Sequence, residues 1–144
     1  MKLIIYTDGA SRGNPGISAS GFNIYDENYT QIGKGIFYNG KNTNNFAEYR
    51  ALIEAIKYVI KNYGIGHYLL IYSDSELLVN QIKGRYKVKD KKIKELHSEL
   101  LSLLKNFVYE IKHLKREDPF ISKVDKELNK FLDKKEKELK GLLS

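Results

Sequence analysis

Two short apolar runs in this chain, KLIIYT at 2–7 and HYLLIYS at 67–73, are each followed at once by an aspartate, Asp8 and Asp74. The second run is nearly continuous, which suits a strand buried on both faces, and therefore a parallel, central one. The first is a β-rich run halted by Asp8-Gly9 and the turn-forming stretch ASRGNPG. Two strands that both end at an aspartate place two carboxylates on one rim of a sheet.

The remaining pattern builds the sheet outward. Apolar residues alternate over 17–25 and again over 32–38, with a polar loop at 26–30, so these segments and the first run predict a three-stranded antiparallel meander. The period then changes. Tyr49, Leu52, Ile53, Ile56, Val59 and Ile60 recur at three- and four-residue spacing, predicting a helix from about residue 45 to just before Gly64. A short helix at 75–82 closed by Gly84, a longer one over 88–104, a fifth strand at 107–114 and a C-terminal helix beyond Asp118-Pro119 complete the order. The expected fold is α/β: a five-stranded mixed sheet, three antiparallel strands followed by two parallel ones through right-handed crossovers, flanked by helices. No linker or internal repeat divides it, so residues 1–144 read as one domain.

Composition narrows the chemistry. With no cysteine, a disulfide framework, a thiolate metal site and a cysteine nucleophile are all excluded, and a reducing, cytoplasmic setting is the natural expectation. No apolar run approaches the roughly 20 residues of a spanning helix, and the start turns polar too soon for a signal peptide, so no membrane association is expected. The formal charge of +7 is unevenly placed: residues 1–82 hold 7 basic and 7 acidic side chains, and the whole excess lies after them. Its densest part is KGRYKVKDKKIK at 83–94, a surface on which a polyanion can lie, although a solvated lysine-rich face explains the charge alone equally well.

Glu48 falls in the first turn of the first helix and Asp125 in the first turn or so of the last, so four carboxylates, Asp8, Glu48, Asp74 and Asp125, are candidates to converge at the rim where α/β sheets gather ligands. Brought together without compensation, one or more would have to protonate. Divalent cations remove that conflict, and an all-oxygen donor set favours Mg²⁺ or Mn²⁺ over Zn²⁺. Two such ions clamp the attacking and leaving oxygens of a phosphoryl displacement, which is nuclease chemistry. Singly, each acid also has a structural explanation. Glu48, three residues after Asn45, fits the N3 position of a capping box, and Asp74 before Ser75 fits a helix start.

In combination, TDGASRGNPG at 7–16, TNNFAE at 43–48, YSDSELLVNQI at 72–82, HLKRED at 113–118 and VDKELN at 124–129 closely resemble the type 1 ribonuclease H family over essentially the full chain. The resemblance implies an RNase H-like fold and an endoribonuclease that hydrolyses the RNA strand of an RNA/DNA hybrid, leaving 5′-phosphate and 3′-hydroxyl ends. It implies two Mg²⁺ ions, with Mn²⁺ as a substitute, held by Asp8, Glu48, Asp74 and Asp125, Asp8 being shared. Matching positions assign RNA 2′-hydroxyl recognition to the backbone around Gly9 and Ser11 and to Asn44 and Asn45, and DNA-phosphate contact to Asn14 and Thr43. Lys87 and Lys89 stand in the basic stretch nearest to a protrusion that some relatives carry. A monomer with no obligate protein partner and no hybrid-binding appendage ahead of Met1 is expected.

The last motif departs from the family pattern: Arg116-Glu117 is followed by DPFISKVD, two residues longer than usual and with Val124 in place of alanine. Where some relatives use a mobile histidine, this chain offers His113 and Arg116. A histidine titrates near neutrality, whereas an arginine acts only by charge and hydrogen bonding. Two rival readings remain at this level: a nuclease of the same fold with a different or broader substrate, such as double-stranded RNA, and an inactive hybrid-binding module.

Overall fold

The computed structural model describes residues 1–143. Its elements in chain order are β1 (Lys2–Gly13), β2 (Gly16–Tyr25), β3 (Gln31–Asn42), α1 (Asn44–Tyr63), β4 (Tyr68–Ser73), α2 (Glu76–Ile82), α3 (Lys91–Leu104), β5 (Val108–His113) and α4 (Pro119–Leu143). One sheet has the order β3-β2-β1-β4-β5. The pairs β1–β2 and β2–β3 are antiparallel, while β1–β4 and β4–β5 are parallel, as the apolar patterns predict.

Opposite faces of the sheet carry separate cores, because successive strand residues point to opposite sides. Leu3, Ile5, Leu69 and Ile71 pack with α1 and α3, including the buried Leu52, Ile56, Leu100 and Leu104. Ile4, Tyr6 and Leu70 pack instead under α4, against Ile121, Val124, Leu128 and Leu132. Gly21 on β2 permits that second contact, since a Cβ there would lie 2.8 Å from Leu128 Cδ2. The start of α4 is set locally: Pro119 opens the helix, and Asp118 Oδ1 accepts from the N–H groups of Phe120 and Ile121.

Several boundaries differ from the sequence expectation, among them the end of β3, which pairs with β2 as far as Asn42 rather than stopping at residue 38. β1 does not end at Asp8 but runs on to Gly13, because the hairpin with β2 keeps pairing through Asp8↔Gly21 and Arg12↔Ile17. Only its parallel pairing with β4 stops there, at Thr7↔Ser73, so Asp8 is still the first residue beyond the parallel ladder. The cap of α1 is Thr43, whose hydroxyl accepts from Phe46 N at 3.1 Å, and not Asn45. Glu48 is thereby the fifth helical residue, and the capping-box explanation for it fails. Finally, α3 begins at Lys91 rather than Val88, capped by Asp90 accepting from Ile93 N.

Candidate active site

Three of the four carboxylates are delivered by three different elements to one cleft of about 310 Å³. Asp8, 2% exposed, comes from β1 just past its pairing with β4; Asp74 follows the end of β4; Glu48, 3% exposed, points back from the second turn of α1. One oxygen of each lies within 4.8 Å of the others. Gly9 makes this approach possible. A Cβ there would stand 2.5 Å from Ala47 C and Glu48 N, so only glycine lets α1 press against β1. The Gly9 N–H donates to Glu48 Oε1 at 2.9 Å and holds that side chain in place.

This crowding is expensive for charge. Burial, followed by the Glu48 and Asp74 carboxylates, pushes Asp8 up to about 11. Burial and Asp74 push Glu48 up to about 8, against the downward pull of the Gly9 N–H. Asp74 is raised as well, chiefly by burial. Three oxygens, Asp8 Oδ2, Glu48 Oε2 and Asp74 Oδ1, are buried with no hydrogen-bond partner. Unsatisfied buried carboxylate oxygens are costly, and a hard divalent cation is the ligand that satisfies all three at once. The donor set therefore fits such an ion.

Asp125 lines the same cleft from α4 and is 22% exposed. Its Oδ1 accepts from Asn129 Nδ2 at 3.2 Å and lies 3.8 Å from Arg116 Nη2. Arg116 also lines the cleft, whereas the exposed His113 sits outside it, its Nε2 3.2 Å from the Asp74 carbonyl oxygen. Of the two candidates for a helper group, Arg116 is the one the fold turns toward the acids.

The nucleic-acid candidates divide between two neighbouring depressions. Gly9, Ser11 and Asn44 line the acidic cleft. Asn14, Thr43 and Asn45 line the adjacent one, of about 400 Å³, together with Phe46 and Lys92. Several have structural work as well: Asn14 Oδ1 accepts from Asn44 N at 3.1 Å, Ser11 Oγ donates to the carbonyls of Gly13 and Asn42, and Thr43 caps α1. Asn45 Oδ1 is buried and unpartnered. Lys87 and Lys89 are exposed on the α2–α3 loop and line neither depression. Lys92 is the lysine of that stretch that does, held over the Phe46 ring and donating to Asn42 Oδ1 at 2.7 Å. Sequence reasoning misses Arg12, Ser75 and Asn129 in the cleft. Arg12 lies inside the stretch ASRGNPG, whose turn-forming composition masks it.

Comparison with known proteins agrees with this geometry. The family described as "Reverse transcriptase-like" matches residues 6–121. Ribonuclease HI of Halobacterium salinarum is 32% identical over 106 residues, 74% of this chain and 52% of that protein. The bifunctional protein Rv2228c of Mycobacterium tuberculosis is 35% identical over 108 residues, 74% of this chain but only 29% of that protein. Among solved structures, RNase H1 from H. salinarum NRC-1 superimposes with a TM-score of 0.84 at 30% identity, covering 93% of this chain and 99% of that one. LC11-RNase H1, solved in complex with an RNA/DNA hybrid, gives 0.76 at 32% identity, covering 90% and 99%. With its mixed sheet, its rim of acids and these relatives, the chain belongs to the type 1 ribonuclease H family.

Proposed function

We propose that residues 1–144 act as one catalytic domain, an endoribonuclease that hydrolyses the RNA strand of RNA/DNA hybrids with two divalent ions, Mg²⁺ by preference and Mn²⁺ as substitute. The observation that carries this reading is the set of buried, unpartnered oxygens of Asp8, Glu48 and Asp74, brought from three elements to one cleft that Asp125 also faces. Asp8, Glu48, Asp74 and Asp125 would hold the ions. When bound, the ions supply Lewis-acid stabilisation of the phosphoryl oxygens and activation of the attacking water.

The chain's own groups do the rest. Gly9 N–H orients Glu48, so its free oxygen stays aimed into the cleft. The backbone around Gly9 and Ser11, Asn44, which lines the cleft with Asp8, and Asn45 beside it would meet the ribose 2′-hydroxyls that separate RNA from DNA. Asn14 and Thr43, in the adjoining depression, would contact a backbone phosphate of the other strand. Arg116 offers donors only, so its part would be charge and hydrogen bonding toward the leaving oxygen, from beside Asp125 at 3.8 Å. The products are a 5′-phosphate and a 3′-hydroxyl. The excess of +7 and the basic stretch at 83–94 support a polyanionic partner, and a monomer suffices because every acid of the cleft comes from one chain. No helix among the described residues is long and apolar enough to cross a membrane.

The test is a cleavage panel of RNA/DNA, RNA/RNA, DNA/DNA and free RNA, each with Mg²⁺, Mn²⁺ or chelator. Metal-dependent cutting of RNA/DNA is expected. Cutting of RNA/RNA at a comparable rate would broaden the substrate class, and binding without cleavage under every condition would overturn the assignment.

A further inference from the structure

Asp125 differs from the other three acids in how it is held. Asp8, Glu48 and Asp74 are fixed by the sheet and by a helix pressed against it, whereas Asp125 rides on α4, which crosses the other face of the sheet. One polar link between that helix and β1 at the rim of the cleft is Arg12. Its Nη2 lies 2.9 Å from Asp133 Oδ1, 3.0 Å from the Asn129 carbonyl oxygen and 3.2 Å from Asn129 Oδ1, while Nη1 donates to Glu136 Oε1. Asn129, Asp133 and Glu136 follow Asp125 at helical spacing, so one guanidinium spans the face of α4 that starts at the acid. Asn129 completes the link, its Nδ2 donating to Asp125 Oδ1 at 3.2 Å and to the Asp125 carbonyl at 3.0 Å.

We propose that Arg12 is a positioning residue for Asp125, acting through the side-chain amide of Asn129. The chemistry is directional. An amide has a donor end and an acceptor end, and a guanidinium has donors only. With Arg12 at one side, Asn129 must turn Oδ1 toward the cation, which leaves Nδ2 for the carboxylate. Without Arg12 the amide keeps only its bonds to Asp125 itself, so amide and carboxylate lose their tie to β1 and are free to move together. Asp133 is 65% and Glu136 37% exposed, so solvent screens both ion pairs, and the contact with Asn129 is the part of the arrangement that reaches the cleft. Outer groups that orient ligands, by contrast, commonly change metal affinity or activity by about 10–100-fold.

This inference rests on the reading of Asp125 as a metal ligand. The experiment compares Arg12→Ala, Arg12→Lys, Asn129→Ala, the Arg12/Asn129 double alanine variant and Asp125→Asn, measuring kcat and KM on an RNA/DNA hybrid across a Mg²⁺ series. Mn²⁺ binding to the free protein is measured in parallel by calorimetry. Arg12→Ala is expected to lower kcat at limiting Mg²⁺ by about tenfold or more, to raise the Mg²⁺ needed for half-maximal rate, to weaken Mn²⁺ binding, and to leave KM within about twofold. Arg12→Lys is expected to fail to rescue, since an ammonium cannot span Asn129, Asp133 and Glu136 at once. The double variant is expected to be no worse than the poorer single one. A direct phosphate contact by Arg12 would instead raise KM, spare metal binding and be rescued by lysine, and that pattern overturns the proposal, as do single effects that multiply in the double variant. Should Arg12→Ala fold poorly, Asn129→Ala decides alone, and an unchanged metal dependence there overturns it. Full activity in Asp125→Asn removes the premise, and loss in Asp125→Asn beside normal Arg12 and Asn129 variants sinks the inference while sparing the wider function.

Discussion

At the scale of single residues, Asp8 carries the largest electrostatic load, buried at 2% exposure beside Glu48 and Asp74. Replacing it removes the cost of burying an acid against two others, which the metal-free fold meets by keeping Asp8 protonated, and removes a metal ligand at the same time, so activity and stability should move in opposite directions. Asp8→Asn is expected to reduce turnover at least ~10³-fold while leaving the metal-free melting temperature equal or higher. Hybrid cleavage and thermal unfolding in chelator check the two halves, and a fully active variant would reject the assignment. Glu48 shows how a residue's context settles its part. In the sequence it fits a helix cap as well as a ligand, but Thr43 takes the cap and leaves Glu48 a turn further on, bonded to Gly9 and aimed at the acids.

At the scale of elements, the segment from α2 to α3 carries the basic stretch. It is tied down by Gln81, which accepts from Tyr49 of α1 at 2.6 Å and donates to the Lys87 carbonyl at 3.3 Å, so its lysines project from an anchored loop. Neutralising Lys87, Lys89, Lys91 and Lys92 together is expected to weaken hybrid binding and to flatten its salt dependence, by up to about 0.9 in log–log slope for each phosphate that no longer meets a lysine. Turnover at saturation should be spared. Because Lys92 alone among these four lines the depression beside Asn14 and Thr43, Lys92→Ala is expected to account for the largest single share. Binding isotherms at several salt concentrations decide it, and an unchanged slope would make the stretch solvated surface.

At the scale of the whole molecule, the acidic cleft couples folding to pH. The Asp8 and Glu48 carboxyls are raised from ordinary values of 3.8 and 4.5 to about 11 and about 8. The folded state therefore holds protons that the unfolded chain has already released, and the stability these groups contribute is greatest below about pH 4 and is lost as pH rises toward 8 and beyond. Metal-free protein is thus expected to melt at falling temperature from about pH 5 to pH 8, apart from acid effects elsewhere. Mg²⁺ binds the deprotonated acids, so its stabilising effect should grow over the same range. Thermal unfolding with Mg²⁺ or chelator across that interval measures both, and a metal-free melting point that rises with pH would contradict the burial of these acids.

Much of this is legible in the chain itself. Alternation in 17–25 and 32–38, the helical stripe from Tyr49 to Ile60 and the continuous run before Asp74 specify the order and kind of elements, because burial imposes its own period on a strand or helix. The four acids, too, are picked out by the motifs they sit in, although Asp8 lies within β1 and Glu48 and Asp125 in the second turns of their helices. What the tertiary structure decides is where partners, not periods, set the outcome. β1 reaches Gly13 only because β2 pairs with it there; Asn45 gives way to Thr43 as cap; Arg116 and not His113 turns into the cleft. Arg12 and Asn129 lie 117 residues apart and meet only once α4 has packed over the sheet. A local pattern records which side of a segment is buried, but the direction of a polar side chain depends on a neighbour that folding alone brings near.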